Sequence, residues 1–283
     1  METKDKEKVR QAVREQYGKI ARVENIFPEK NSGASCCSSP GISDPLEQAA
    51  SCCGAPDFSL DQISTAMGYS NEDITSTPEG ANLGLGCGNP VALALLKPGE
   101  TVVDLGSGGG FDCFLAAKRV GEDGKVIGVD MTPDMVSKAR YNAEKIGTDN
   151  VEFRLGEIEH LPVADNRADI IISNCVINLS PDKRNVYREA FRVLKPGGRL
   201  AISDIVATAP LPQQIRENLA AVTGCIGGAA TITDTENMLK AVGFENIQIK
   251  FKEESRQIIS KWAPGENAGE YIVSANIEAI KPV

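Results

Sequence analysis

The stretch TVVDLGSGGG, residues 101–110, decides how the rest of the chain is read. Val102 and Val103 are β-branched and favour an extended strand, and Asp104 interrupts the apolar run near its end. Gly106, Gly108, Gly109 and Gly110 then remove side chains where the strand must turn. The next residues, FDCFLAAKRVG, read as a helix with Phe111, Phe114, Leu115 and Lys118 on one face. Strand, glycine turn and helix make the first half of a nucleotide-cofactor site. Glycine lets a ligand approach the backbone, and a helix start offers unpaired N–H groups.

The spacing is D-x-G-x-G-x-G, not the G-x-G-x-x-G that cradles a pyrophosphate. Asp104 would repel phosphate and suits a cation. A second strand, KVIGVD, ends at Asp130, in the position whose carboxylate takes ribose hydroxyls. One acid before the glycine turn and another ending the next strand fit S-adenosylmethionine, which carries an amino acid, a sulfonium and a ribose but no phosphate.

Working outward, the chain has 283 residues, enough for one large or two small domains. Thirty Lys and Arg against 39 Asp and Glu give a net charge of −9, and no basic run suggests a nucleic-acid partner. No apolar stretch approaches a bilayer span, and METKDKEKVR is charged where a signal peptide needs an apolar segment. The expectation is a cytoplasmic protein with no membrane partner.

In such a setting the eight cysteines are not expected to form a disulfide framework. Cys36–Cys37 and Cys52–Cys53 are adjacent pairs, and adjacent Cα atoms, about 3.8 Å apart, are too close for an unstrained bridge. The single histidine, His160, follows an acidic turn and reads as structural or solvent-exposed. Chemistry here should therefore lean on thiols.

Lys4 to about Val23 has an amphipathic helical pattern through Val9, Val13, Tyr17 and Ile20. Glu29 to Asp57, rich in Ser, Gly, Pro and Cys, reads as a linker carrying both cysteine pairs. Ser59–Met67 is a short helix with Ser59 as N-cap and Gln62 as its box partner. Gly80–Pro90 is a glycine-rich loop holding Cys87, followed by a helix over Pro90–Leu96. Thr132 caps a helix ending near Gly147, and strands follow at Asn150–Leu155 and Ala168–Asn174, the latter meeting Cys175. A helix over Lys183–Leu194 ends in the turn KPGG, and a strand starts at Arg199–Asp204. Pro212–Thr223 reads as helical, as does Thr233–Val242 with Thr233 or Asp234 as cap. Phe244–Phe251 and Glu270–Ile280 read as a final antiparallel strand pair.

Alternating strands and helices predict an α/β fold with a doubly wound, Rossmann-like sheet. Ligands bind such sheets outside the carboxyl ends of the strands. Asp104, Asp130, the Gly156–Ile158 turn and Asn174–Cys175 all fall there. The expected division is an N-terminal helix and cysteine-rich arm (1–75), a cofactor-binding core (76–209), and a Cys225-bearing cap with the closing strands (210–283).

These residues carry a resemblance. Asp104–Gly110 with Asp130 and KPGG resembles the class I S-adenosylmethionine-dependent methyltransferases. GANLGLGCGNP (80–90), SNCVINLSPDK (173–183) and GCIGGA around Cys225 are similar to the arsenite methyltransferase family of microbes, and the likeness runs from about Val9 to Gly243. The resemblance implies that Cys87, Cys175 and Cys225 handle arsenic. It also implies a further N-terminal cysteine, leaving open which of Cys36, Cys37, Cys52 or Cys53 it is. Asp130 and Met131 match the ribose and adenine contacts, and Glu157 and Ile158 the adenine edge. Asp104, Gly106, Ser107, Gly108, Gly110 and Asn174 complete the implied cofactor set. The implied partners are arsenite or arsenic–thiol conjugates and a thiol reductant of thioredoxin or glutathione type, with the protein a monomer.

Trivalent arsenic is soft and prefers thiolates. Three sulfur bonds leave its lone pair free to attack a sulfonium methyl, so no base is needed. Thiolates being the binding form, affinity is expected to rise with pH. Cys113, inside the first cofactor helix, reads as a small buried hydrophobe. Two other classes compete: a C- or O-methyltransferase acting, for example, on a quinone precursor, and a non-catalytic thiol carrier of metals or metalloids. Neither cysteine pair has the C-x₂-C spacing of a zinc site.

Overall fold

The computed structural model describes residues 3–22, 59–253, 255–256 and 268–283. Cys36, Cys37, Cys52 and Cys53 lie outside the described residues. The helices are α1 (Thr3–Arg22), α2 (Leu60–Ala66), α3 (Asn71–Thr75), α4 (Pro90–Ala94), α5 (Phe111–Val120), α6 (Pro133–Ile146), α7 (Lys183–Val193), α8 (Gln213–Glu217), α9 (Leu219–Thr223), α10 (Ile232–Val242) and α11 (Ala268–Tyr271). The strands are β1 (Thr101–Leu105), β2 (Lys125–Asp130), β3 (Val151–Leu155), β4 (Ala168–Asn174), β5 (Leu194–Ala207), β6 (Glu245–Lys252) and β7 (Ile272–Ile280). They form one seven-stranded sheet in the order β3-β2-β1-β4-β5-β7-β6. β1 to β5 pair in parallel, and β7 lies antiparallel between β5 and β6.

The two-residue period of the strands sorts their side chains into two layers. Val102, Val126, Ile170 and Ile172 face Val91 of α4, Phe114 and Leu115 of α5, and Val136 of α6. Val103, Ile127, Ile171 and Leu200 face the other way, toward Val186 and Tyr187 of α7 and Leu239 of α10. Each such side chain contributes roughly 1.5–3 kcal/mol by leaving water. A third apolar cluster holds Val13 of α1, Leu179, Ile205, Leu211 and Ile215, and it contains Cys87, Cys175 and Cys225.

The cofactor half matches the expectation: strand, glycine turn and helix fall on β1, residues 106–110 and α5. Asp104 pairs in register with Gly128 of β2 and Ile172 of β4, at the point where the strand order reverses. Several details differ. Pro212–Thr223 is two short helices, because Asn218 leaves the helical region (φ −75°, ψ 111°) and its side chain caps α9 instead. The cap of α10 is Thr231, whose hydroxyl accepts from the Asp234 N–H, rather than Thr233 or Asp234. KPGG is an irregularity inside β5 more than a free turn: Leu194 already pairs with Ala168, and the register shifts before Ile170 meets Arg199. Helix α3 escaped the sequence pattern; Ser70 and Asp73 form its capping box. The last strand starts at Ile272, after the helical turn α11. Among the described residues no helix is long and apolar enough to cross a membrane.

Candidate functional site

A cleft opens over the carboxyl ends of β1, β2 and β4 and encloses about 1150 Å³ including its mouth. That is room for a nucleoside cofactor. Its floor is the glycine turn. Gly106 and Ser107 donate their N–H groups to the Val129 carbonyl at 2.7 and 3.1 Å, tying the turn to β2. Gly106 has φ +73°, and a Cβ there would meet Val176 at 2.5 Å, so the turn needs glycine at that position. Asp130 accepts from the Gly108 N–H at 3.0 Å and the Thr132 N–H at 2.8 Å. Met131 and Ile158 line the same wall.

Two acids sit at the inner end. Asp104 is buried and accepts from Cys113 Sγ at 3.2 Å. Asp112, in the first turn of α5, accepts from the Tyr69 hydroxyl at 2.6 Å and from Asn174 Nδ2 at 3.1 Å. Burial pushes Asp112 up to about 6. Burial, followed by the charge of Asp112, raises Asp104 well above the usual carboxylate range. Ser107 Oγ is buried beside them and finds no hydrogen-bond partner among the described residues. Two acids favouring a positive group, an orphaned hydroxyl and a carboxylate at the end of β2 fit the ammonium, carboxylate and ribose of S-adenosylmethionine.

The sequence-expected cofactor residues do not all reach the cleft. Asp104, Gly106, Ser107, Gly108, Asp130, Met131, Ile158 and Asn174 line it. Gly110 instead caps α5, its Cα set against the rings of Phe114 and Phe153. Glu157 turns away to pair with Arg14 at 2.9 Å and Arg10 at 3.4 Å. Helix α1 thus lies across the cleft, adding Val13 and Tyr17 to its wall. Lys6–Asp182 at 2.7 Å and Arg10–Glu159 at 3.4 Å also hold it. The amphipathic pattern predicted this helix but not where its apolar face would land. His160 is exposed, as read.

The cysteines gather at the cleft's edge. Cys175 follows β4 directly, with its N–H bonded to the Ser203 carbonyl at 2.8 Å and its side chain on the cleft. Cys225 follows α9 and points Sγ at the Cys175 carbonyl, 2.8 Å away. Cys87 is set by Asn174, whose Oδ1 accepts the Cys87 N–H at 2.9 Å, and by Ser274, which donates to the Cys87 carbonyl at 2.8 Å. Its neighbour Gly86 packs so closely on the Asn174 amide that a Cβ would lie 2.6 Å from Nδ2. Cys175 and Cys225 both adopt left-handed backbone conformations, φ 59° and 65°. For a non-glycine residue this costs of order 1–3 kcal/mol and clusters at functional sites. Cys113 is fully buried away from this group, a packing residue as the sequence suggested.

The neighbouring sulfurs of Cys225 and Cys87, followed by burial, push the Cys175 thiol well up, and burial pushes Cys87 up. Both therefore rest as protonated thiols near neutrality.

Sequence reasoning missed two residues here. Asp204, in the middle of the buried run AISDIVA on β5, accepts from the N–H groups of Ile177 (3.0 Å) and Ile205 (2.8 Å) and from Asn178 Nδ2 (2.9 Å). Burial raises it to about 6. An acid inside an apolar strand was the available signal. Tyr17, read only as a helix-face residue, donates its hydroxyl to the Thr223 carbonyl at 3.3 Å, close to Cys225.

Residues 96–243 match the family described as a methyltransferase domain. The arsenite methyltransferase of Halobacterium salinarum is 51% identical over 279 residues, 99% of this chain and 68% of that protein. The arsenite methyltransferase of Aquipseudomonas alcaligenes is 48% identical over 166 residues, 56% of this chain and 47% of that protein. Among solved structures, an arsenic(III) S-adenosylmethionine methyltransferase from Chlamydomonas reinhardtii aligns with a TM-score of 0.59 at 33% identity, over 78% of this chain and 73% of that one. The match along nearly the whole sequence, on a fold with the glycine turn and the three cysteines in place, settles the kinship: the chain belongs to the arsenite methyltransferase family of S-adenosylmethionine-dependent methyltransferases.

Proposed function

We propose that this chain transfers a methyl group from S-adenosylmethionine to arsenic(III) held by Cys87, Cys175 and Cys225, an arsenic-detoxifying reaction. The observation that carries the reading is the convergence of the three cysteines at the edge of the glycine-turn cleft, two of them in strained backbone conformations.

Asp130 would hold the ribose, Met131 and Ile158 would flank the adenine, the Ser107 hydroxyl would meet the amino-acid carboxylate, and Asp104 with Asp112 would face the ammonium. When bound, S-adenosylmethionine supplies a methyl carbon on a sulfonium, which the arsenic lone pair takes as the carbon–sulfur bond breaks toward sulfur. The cysteines do the rest. Each exchanges its thiol proton for an arsenic bond, and the departing hydroxide leaves as water. Three such bonds leave a pyramidal arsenic with its lone pair free. Cys175, at the end of β4 and on the cleft wall, fixes the arsenic relative to the cofactor; attack distances of about 3–3.5 Å are what positioning must achieve. Methylation raises arsenic to the pentavalent state, so a thiol reductant of thioredoxin or glutathione type returns it to the trivalent one.

The test is incubation with S-adenosylmethionine, arsenite and a thiol, with arsenic species separated and identified by mass. Methylarsenicals are the expected product. Methylation of a phenol or carbon acid without any methylarsenical would overturn the reading.

A further inference from the structure

The cysteine cluster contains a donor that arsenite does not use. A carboxylate oxygen of Asp204, Cys87 Sγ and Cys175 Sγ all lie within 4.8 Å of one another, and all three residues are buried. Cys225 is outside that set, its sulfur turned to the Cys175 carbonyl. The structure closes one triad, and the three-sulfur set that arsenic would need shares its Cys87–Cys175 edge. The first adds an oxygen to that edge, the second a sulfur.

The two faces suit different ions. Trivalent arsenic is soft and bonds three thiolates. Zinc and cadmium accept mixed sulfur and oxygen ligands, and zinc sites with three protein ligands complete a tetrahedron with water. Thiolates around a tetrahedral zinc lie about 3.8 Å apart, so the Asp204 triad closes on a cation with small side-chain movements. The carboxylate is already aimed. Ile177, Asn178 and Ile205 donate to it and fix its orientation, and the buried Lys183 ammonium lies near enough to act on its charge. Such outer contacts fix metal ligands in place.

We propose that Cys87, Cys175 and Asp204 form a binding site for a thiophilic divalent cation of the zinc or cadmium type, whose occupation excludes arsenite. Only the exclusion rests on the arsenite reading; the cation site stands without it. As each sulfur ligates, its proton passes to solvent, and no oxidant or reductant takes part. The bound cation inhibits arsenite methylation by holding two of the three required sulfurs.

The test is a double dissociation in the full chain carrying Cys36→Ser, Cys37→Ser, Cys52→Ser and Cys53→Ser, so that those thiols do not contribute. Cadmium(II) is the probe, followed by its ultraviolet thiolate absorption. Arsenite binding is measured on the same proteins by equilibrium dialysis. Asp204→Asn is expected to weaken cadmium binding by about tenfold or more while leaving arsenite binding essentially unchanged. Cys225→Ser is expected to do the reverse. Cadmium affinity that follows Cys225 and ignores Asp204, or an Asp204→Asn loss equal for both ions, would overturn the site. X-ray absorption of the zinc-loaded parent gives a check independent of the variants' folding: two sulfurs with oxygen donors are expected, and a shell of three sulfurs would sink the assignment. Cadmium uptake with the Asp204 dependence, together with no arsenite binding by the chain with all eight cysteines restored, would support the cation site and overturn the arsenite reading.

Discussion

The glycine turn and the cysteine cluster lie at the same edge of the sheet, yet they hold their shapes by opposite means. At Gly106 the chain needs a left-handed residue and glycine supplies it. At Cys175 and Cys225 the chain is also left-handed, but the residue is cysteine. The cofactor half uses conformations that its residues adopt freely. The sulfur half forces its residues into place, held by Ser203, Val222 and the surrounding apolar cluster. Where backbone strain is tolerated, the side chain must be worth more than the conformation costs.

The sharpest way to break this contrast is Cys175→Ser. Serine keeps the size but loses the soft donor, and arsenite methylation should fall by more than about a hundredfold, beyond the loss from an outer-contact change. Binding of S-adenosylhomocysteine, measured by calorimetry, should survive. The mirror experiment is Asp130→Ala. It removes the acceptor of the Gly108 and Thr132 N–H groups, and cofactor affinity should drop about ten- to a hundredfold while arsenite binding persists.

A third prediction concerns pH. Asp112 is held near 6 by burial, and a cationic ammonium prefers its ionised form. Affinity for S-adenosylhomocysteine should therefore rise as pH increases through about 6 and fall as the acid protonates below it. Asp112→Asn should flatten that rise in titrations at several pH values; an unchanged slope would remove Asp112 from the ammonium pocket. The smallest effect bears most directly on strain. At position 225, Cys225→Gly should exceed Cys225→Ala in stability to urea by roughly 1 kcal/mol despite its smaller side chain, because φ is 65°. At position 106, Gly106→Ala should lose stability. Equal stability of the two variants at 225 would mean that the left-handed conformation costs nothing there.

The difference between the halves also explains what the sequence disclosed. The cofactor half was legible because its signals are local: β-branched residues, a glycine turn, and acids at strand ends. The parallel sheet, its antiparallel close and the buried Cys113 followed from the same periodicity. The sulfur half was legible only through resemblance, since Cys87, Cys175 and Cys225 come from separate loops and no period links them. Asp204 and the Asp112–Tyr69 pair escaped because their partners are distant in sequence: Asp204 reads as one polar residue in a strand, and Asp112 as an ordinary acid in a first helical turn. The direction of the Glu157 side chain was illegible for the same reason, since the arginines that pair with it lie on α1. The break at Asn218 was missed because its caps are local but its neighbours all favour helix.

One amide joins the halves. Asn174 accepts from Cys87 with its oxygen, and its two amide protons are shared among Asp112, the Tyr69 hydroxyl and the Gly88 carbonyl. Linkage is reciprocal, so any ligand that shifts this side chain from one direction must alter, by the same factor, how readily it is shifted from the other. The acids at the inner end of the cleft and the Cys87 loop thus share one side chain as their common support, and Asn174→Ala would loosen both at once.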